Sequence, residues 1–168
     1  MNNQQDLKDI ETEKLWQLFS DVMNELKARG ALNSNNIVGD RGESLAVTLY
    51  NEISGLPKLQ LAPPSTQNID AISVKGDRYS IKTISFPNKT TGVFHGYGSP
   101  EQPIEDKLFE YLIVIQLKGY SPHLVVQMTW ETFHKYKRWH STMRAYNISL
   151  TKDVLLNSKI IYNTVLPT

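Results

Sequence analysis

The sequence predicts a single mixed α/β domain, and three observations carry that expectation. Residues 6–28 and 41–53 repeat apolar side chains at helical spacing. Shorter apolar runs at 58–62, 69–74, 79–85, 111–117, 123–128 and 159–162 alternate or cluster as strands do. The chain has 168 residues, 40% of them hydrophobic, with 3 Trp, 8 Tyr and 5 Phe. That is enough for one real core and too little for two full domains, so residues 1–168 are read as one unit.

The first helix carries Leu15, Leu18, Phe19, Val22, Met23 and Leu26 on one wide stripe, and Gly30 stops it. Such a stripe covers the core by default; the alternative is a partner subunit. Residues 33–36 form a loop. The second helix is expected from Arg41, with Asp40 as N-cap and Glu43 three residues on, as in a capping box. Gly55 and Pro57 end it. A strand over 58–62 follows, broken by Pro63-Pro64-Ser65. A hairpin then joins 69–74 to 79–85 around Lys75-Gly76-Asp77. The stretch from Pro87 to Pro103, with Gly92, Gly96 and Gly98, reads as a long loop, and loops of that length are often functional. Two strands, a helix from Trp130 to about Arg138 and a last strand near 159–162 complete the order.

Eighteen basic residues balance 17 acidic ones, which excludes a histone-like carrier. Charge is nevertheless uneven: residues 1–84 hold 9 basic and 11 acidic side chains, residues 85–168 hold 9 and 6. The absence of cysteine excludes a disulfide scaffold, a thiolate zinc site and a cysteine nucleophile. The polar first residues lack the apolar run of a secretory signal, and the longest greasy run, Leu112–Leu117, is far short of the roughly 20 residues that span a bilayer. A soluble, cytoplasmic protein with no membrane partner is the expectation.

The chemistry concentrates between residues 68 and 82. Strand alternation sets Asp70, Ile72 and Val74 on one face, and Ser80, Lys82 and Ile84 on one face of the next strand. A three-residue turn over Lys75–Asp77 pairs Val74 with Arg78 and sets Asp70 opposite Lys82, with Cβ atoms roughly 5 Å apart. A two-residue turn would oppose Asp70 to Thr83 and send Lys82 to the other side. Two readings of an Asp facing a Lys stand side by side. One is a structural ion pair of little net value. The other is a phosphodiester site in which Asp70 holds a hard divalent cation and Lys82 orients or activates water. Glu43 falls on the inward arc of its helix, near Ala46, Val47 and Tyr50, and could supply a second carboxylate. Two carboxylates suffice for Mg²⁺, which keeps several waters and takes substrate phosphate as a further ligand.

Gly42-Glu43, Ile69-Asp70 and Ser80-Ile81-Lys82 together resemble the PD-(D/E)xK nuclease superfamily: a helix Glu, a strand Asp, then an acidic residue and a Lys on the next strand. In element order the chain is similar to small type II restriction endonucleases of the PvuII kind. The resemblance covers residues 37–128, with an N-terminal helical segment over 1–30 that could dimerise and a basic helix and strand over 129–168. It implies a restriction-endonuclease-like core, a mixed central sheet flanked by helices. It also implies a metal-dependent endonuclease of double-stranded DNA, with Asp70, Ser80, Lys82 and Glu43 in the catalytic set. Mg²⁺, replaceable by Mn²⁺, would be held by Asp70, Glu43 and the carbonyl of Ile81. Ser80 departs from the pattern, since the superfamily usually has Asp or Glu there; a catalytically inactive DNA-binding or assembly subunit is the alternative. Cutting both strands of a palindrome implies a homodimer.

Further along, Lys135, Lys137 and Arg138 lie in the densest basic and aromatic cluster, suited to phosphate contacts. In the glycine-bearing loop, His95 and Tyr97 are candidates for groove contacts and Lys89 for the backbone. The competing readings are a solvated basic helix face and a plain surface loop.

Overall fold

A six-stranded sheet organises the computed structural model, which describes residues 7–164. A single 3₁₀ turn at Leu7–Asp9 precedes helices α1 (Thr12–Ala28) and α2 (Ile37–Glu52). Strands β1 (Leu59–Leu61), β2 (Ala71–Ser73), β3 (Arg78–Ser85), β4 (Tyr111–Lys118) and β5 (Ser121–Thr129) follow. Then come α3 (Trp130–Tyr136), β6 (Arg138–His140), β7 (Ala145–Asn147), α4 (Lys152–Leu156) and β8 (Lys159–Asn163). The sheet order is β1-β2-β3-β4-β5-β8, and β6 with β7 forms a separate two-stranded ribbon. Every pair in the main sheet is antiparallel except β3–β4. The mixed α/β class with flanking helices is therefore as expected.

β4 lies inside the sheet with Leu112–Leu117 all buried, which explains why Leu112–Ile115 are apolar without alternation and why the amide of Gln116 is bonded to the Asn88 carbonyl. Two cores lie on the two faces. Leu45, Ala46 and Tyr50 of α2 meet Tyr79, Ile81, Ile113 and Ile115 on one. Phe94, Tyr97, Phe109, Trp130 and Phe133 meet Leu112, Val114 and Val126 on the other. The second core holds most of the long loop's aromatics, for a topological reason. A parallel β3–β4 pair needs a crossover, and residues 86–110 supply it without a helix, so the loop must bury its own side chains.

Four expectations need correction. Helix α2 begins at Ile37, because Asn36 is the N-cap and its Oδ1 accepts the Gly39 N–H at 3.1 Å. Asp40 is not a cap. It is buried and accepts the N–H groups of Asn33 and Ser34, both at 2.7 Å, fastening the preceding loop. Glu43 is thus free of any capping box. The hairpin pairs Ala71 with Tyr79 and Ile72 with Arg78, two residues out of the expected register. Its turn is Val74-Lys75-Gly76, with Gly76 at φ +88°, because the Ser73 hydroxyl accepts the N–H groups of Lys75 and Asp77 and fixes the closing pair. The helix expected to reach Arg138 stops at Tyr136, and the ribbon begins where its end was expected. Finally, α1 covers no core: none of its 17 residues is buried.

Among the described residues, no helix is long and apolar enough to cross a membrane.

Candidate functional site

The site exists because β2 is short and β3 is long. β2 spans three residues and β3 eight, so the edge of β3 beyond Ser80 has no strand beside it. Asp70, just before β2, folds onto that edge in place of a strand. Its backbone N–H donates to the Tyr79 carbonyl at 2.8 Å. Its Oδ2 accepts the Ile81 N–H at 2.6 Å and the Ser80 hydroxyl at 3.3 Å. The N–H and C=O of one residue in a strand point to the same edge, so the Ile81 carbonyl shares this open edge with Asp70.

Helix α2 brings the second carboxylate. Gly42 lets the helix approach β3 closely: a Cβ there would stand 1.8 Å from the Thr83 hydroxyl. The next residue, Glu43, therefore reaches the sheet edge half-buried. A cleft of about 260 Å³ results, lined by Glu43, Asp70, Ile81, Lys82 and Thr83. Burial pushes the Glu43 carboxyl up from 4.5 to about 7, Asp70 and Asp40 add to the shift, and Lys82 opposes it. These charges therefore act on one another across the cleft.

Lys82 is not ion-paired with Asp70. The ion pairs among the described residues are Glu25–Arg29, Arg78–Glu110 and Lys107–Glu131, and the Lys82 ammonium instead lies 4.9 Å from the centre of the Phe94 ring. The shifted register explains this. Asp70 sits at the level of Ser80 and Ile81, so Lys82 becomes a diagonal neighbour on the same face rather than a direct one. The structural ion pair expected as one reading is thus not formed.

The sequence-predicted residues separate into two groups. Glu43, Asp70, Ile81 and Lys82 share one cleft. Ser80 is buried beneath it, its hydroxyl donating to Asp70. Tyr97 is 3% exposed, enclosed by Phe94, Phe109, Trp130 and Phe133, so the expected groove contact from this side chain is corrected to a core role. Lys89, His95, Lys135 and Arg138 are exposed, and Lys137 is half-buried with its ammonium 4.2 Å from the Tyr146 ring centre. Bridges Thr90↔Ser149 and Phe94↔Tyr146 fasten the loop of Lys89 and His95 to the region of the β6–β7 ribbon. The ring that carries Lys82 therefore belongs to the segment joined to the basic ribbon.

Sequence reasoning missed three residues. Asp40 looks like a cap because caps and buried loop anchors use the same side chain. Gly42 has a signal, a glycine inside a helix, which marks close approach. Glu110 pairs with Arg78 through bonds of 2.8 and 3.0 Å across 32 residues, and no local pattern reveals that.

The donor set bears on the implied metal. No group of three or more His, Cys, Asp or Glu able to hold a metal ion occurs among the described residues. What the edge of β3 does offer is two carboxylates and a backbone carbonyl, all hard oxygens of the kind Mg²⁺ takes. The mutual repulsion of Glu43 and Asp70 is the electrostatic condition that a divalent cation relieves. The residues present fit the ion.

No family model matches the sequence. No curated protein matches it either.

Proposed function

We propose that the chain is a metal-dependent endonuclease acting on double-stranded DNA, with the restriction-endonuclease-like core that its motif resemblance implies. The observation that carries this reading is the single cleft on the open edge of β3, where Glu43, Asp70, Ile81 and Lys82 converge from a helix, a loop and a strand far apart in sequence. A free lysine beside two carboxylates and a carbonyl is a donor set for hydrolysing a phosphodiester. A paired lysine would not be.

Asp70 and Glu43, with the carbonyl of Ile81, would hold Mg²⁺ or Mn²⁺. Bound there, the cation would polarise the scissile phosphate and acidify water. Asp70 is fixed for this task by the Ile81 N–H, which leaves its second oxygen uncommitted by any hydrogen bond among the described residues. Lys82, set diagonal to Asp70 by the strand register and resting over the Phe94 ring, would offer its ammonium to a phosphate oxygen or an attacking hydroxide. In the reaction the water oxygen bonds to phosphorus, a bridging P–O bond breaks, and the leaving oxygen takes up a proton. Exposed Lys89, Lys135 and Arg138 would contact the backbone electrostatically, so binding should weaken with salt.

Ser80 favours one second reading. Its hydroxyl is buried against Asp70 and adds no charge, as in an inactive DNA-binding or assembly subunit built on the same core. One experiment separates the two. Long, sequence-diverse DNA is incubated with the protein and Mg²⁺ or Mn²⁺, beside EDTA and Lys82→Ala controls. Discrete metal-dependent fragments, absent with Lys82→Ala, are the expected result. Salt-sensitive binding with intact DNA would overturn the nuclease in favour of the inactive subunit.

A further inference from the structure

Helix α1 is the anomaly of this fold. It spends seven large apolar residues on one stripe and buries none of them, leaving Trp16 63%, Val22 55%, Phe19 48% and Leu18 40% exposed. Beside it lies a groove of about 390 Å³, walled by Phe19, Val22 and Leu26 from α1 and by Leu32, Ile37 and Tyr120 from the body. We propose that α1 is the interface of a symmetric homodimer, in which the α1 helices of two copies cross antiparallel and each apolar stripe closes the other copy's groove.

The charges of α1 choose this occupant. Helical spacing puts Glu13 and Lys27 on the flank beside Trp16, and Lys14 and Glu25 on the flank beside Leu18. A two-fold axis near Ser20 reverses one helix against the other, so each flank meets the same flank of its mate. Glu13 then faces Lys27 of the second copy, and Lys14 faces Glu25. Both flanks are complementary in this one register, as an isologous interface requires. The Glu25–Arg29 pair at 2.6 Å is exposed and leaves Glu25 an oxygen for such a contact.

The area suits a dimer of modest affinity. Scaling the four exposures by the roughly 150–250 Å² of a whole aromatic side chain leaves on the order of 350 Å² of apolar surface per copy. Met23, Leu26, the groove wall and the stems of the flanking Lys and Glu add to this, toward the roughly 800 Å² per partner of a specific interface. The placement also matters for the candidate site. The groove uses Ile37, Arg41 and Ser44 of α2, and the cleft uses Val38, Gly39 and Glu43 from the same turns. A second copy would brace the helix segment that positions Glu43. The proposal stands on α1 and does not require the nuclease reading.

Sedimentation equilibrium on the full chain, from about 1 to 100 µM, reads the result, since those concentrations bracket a micromolar association. The expected mass rises from that of one 19.2 kDa chain to that of two and stops there. Phe19→Glu, at a half-exposed position, should leave the far-ultraviolet spectrum and cooperative melting intact and hold the chain monomeric, with a melting point that no longer rises with protein concentration. Lys27→Glu should weaken association about tenfold, and adding Glu13→Lys should restore it. A monomer across the range, or mass that grows without limit, would overturn the proposal. Failure of the charge swap to restore association would overturn the antiparallel register.

Discussion

Glu43 offers the sharpest test, because its ionisation is tied to its neighbours. The perturbation is Glu43→Gln, which keeps the shape and removes the charge. In the folded chain the carboxyl titrates near 7 rather than 4.5, mainly because it is buried and then because Asp70 and Asp40 lie close. Between those values the native state holds a proton that the unfolded chain has released. Stability is therefore fully present below about 4.5 and falls as pH rises through about 7. The full difference corresponds to an upper bound of ~3 kcal/mol. Glu43 is only half-buried and solvent screens its neighbours, so the expected loss is ~1–2 kcal/mol. Urea unfolding of both proteins at pH 5 and pH 8 reads it directly. Other titrating groups are common to both, so the difference between their pH slopes isolates Glu43. Glu43→Gln should gain ~1–2 kcal/mol on the wild type in going from pH 5 to pH 8. At pH 8, Mg²⁺ at ten times its dissociation constant should return ~1.4 kcal/mol to the wild type and less to the variant. Identical pH slopes for the two proteins would refute the reasoning at its first step.

Three further outcomes follow from the contacts around the cleft. Gly42→Ala should cost ~2 kcal/mol or more, read by urea unfolding, because its methyl would meet the Thr83 hydroxyl at 1.8 Å, and Thr83→Ala should recover part of the loss. Asp40→Ala should cost ~2–4 kcal/mol by the same measurement, since it strands the Asn33 and Ser34 N–H groups. Asp70→Asn should abolish cleavage at little cost in stability, whereas Asp70→Ala should also lower stability by ~1–3 kcal/mol, because it removes the acceptor for the Ile81 N–H. Loss of activity without that split in melting temperature would show that Asp70 does not hold the strand edge.

Much of this was legible in the sequence because hydrophobic period is a strong signal. Leu45, Ala46 and Tyr50 mark the buried face of α2, and Leu112–Leu117 marks the central strand. The hairpin register was missed by two residues, because Ser73 closes the turn with its hydroxyl and a sequence shows only that Gly76 is nearby. An error of two preserves the strand face, so Asp70 and Lys82 were still placed on the same side; an error of one would have separated them. Phe94 and Tyr97 misled for a different reason. Aromatics among glycines read as a recognition loop, and only the parallel β3–β4 pair reveals that the segment is a crossover that must bury them. The exposure of α1 was equally hidden, since an amphipathic stripe does not show what it packs against, and none of the helix's residues is buried.

The register error also changes the chemistry. Directly opposed, Asp70 and Lys82 would neutralise one another, and a neutral pair at a sheet edge has little to offer a phosphate. Moved along by two residues, the aspartate bonds to the strand's backbone and the lysine rests over Phe94, so the two do not pair. Burial raises the Glu43 carboxyl first, and Asp70, unpaired with Lys82, adds to that shift. A structural site would be expected to minimise such frustration. Here a helix glycine, a truncated strand and an aromatic ring all preserve it, and unneutralised charge held in place is the condition that binding a cation and a phosphate requires.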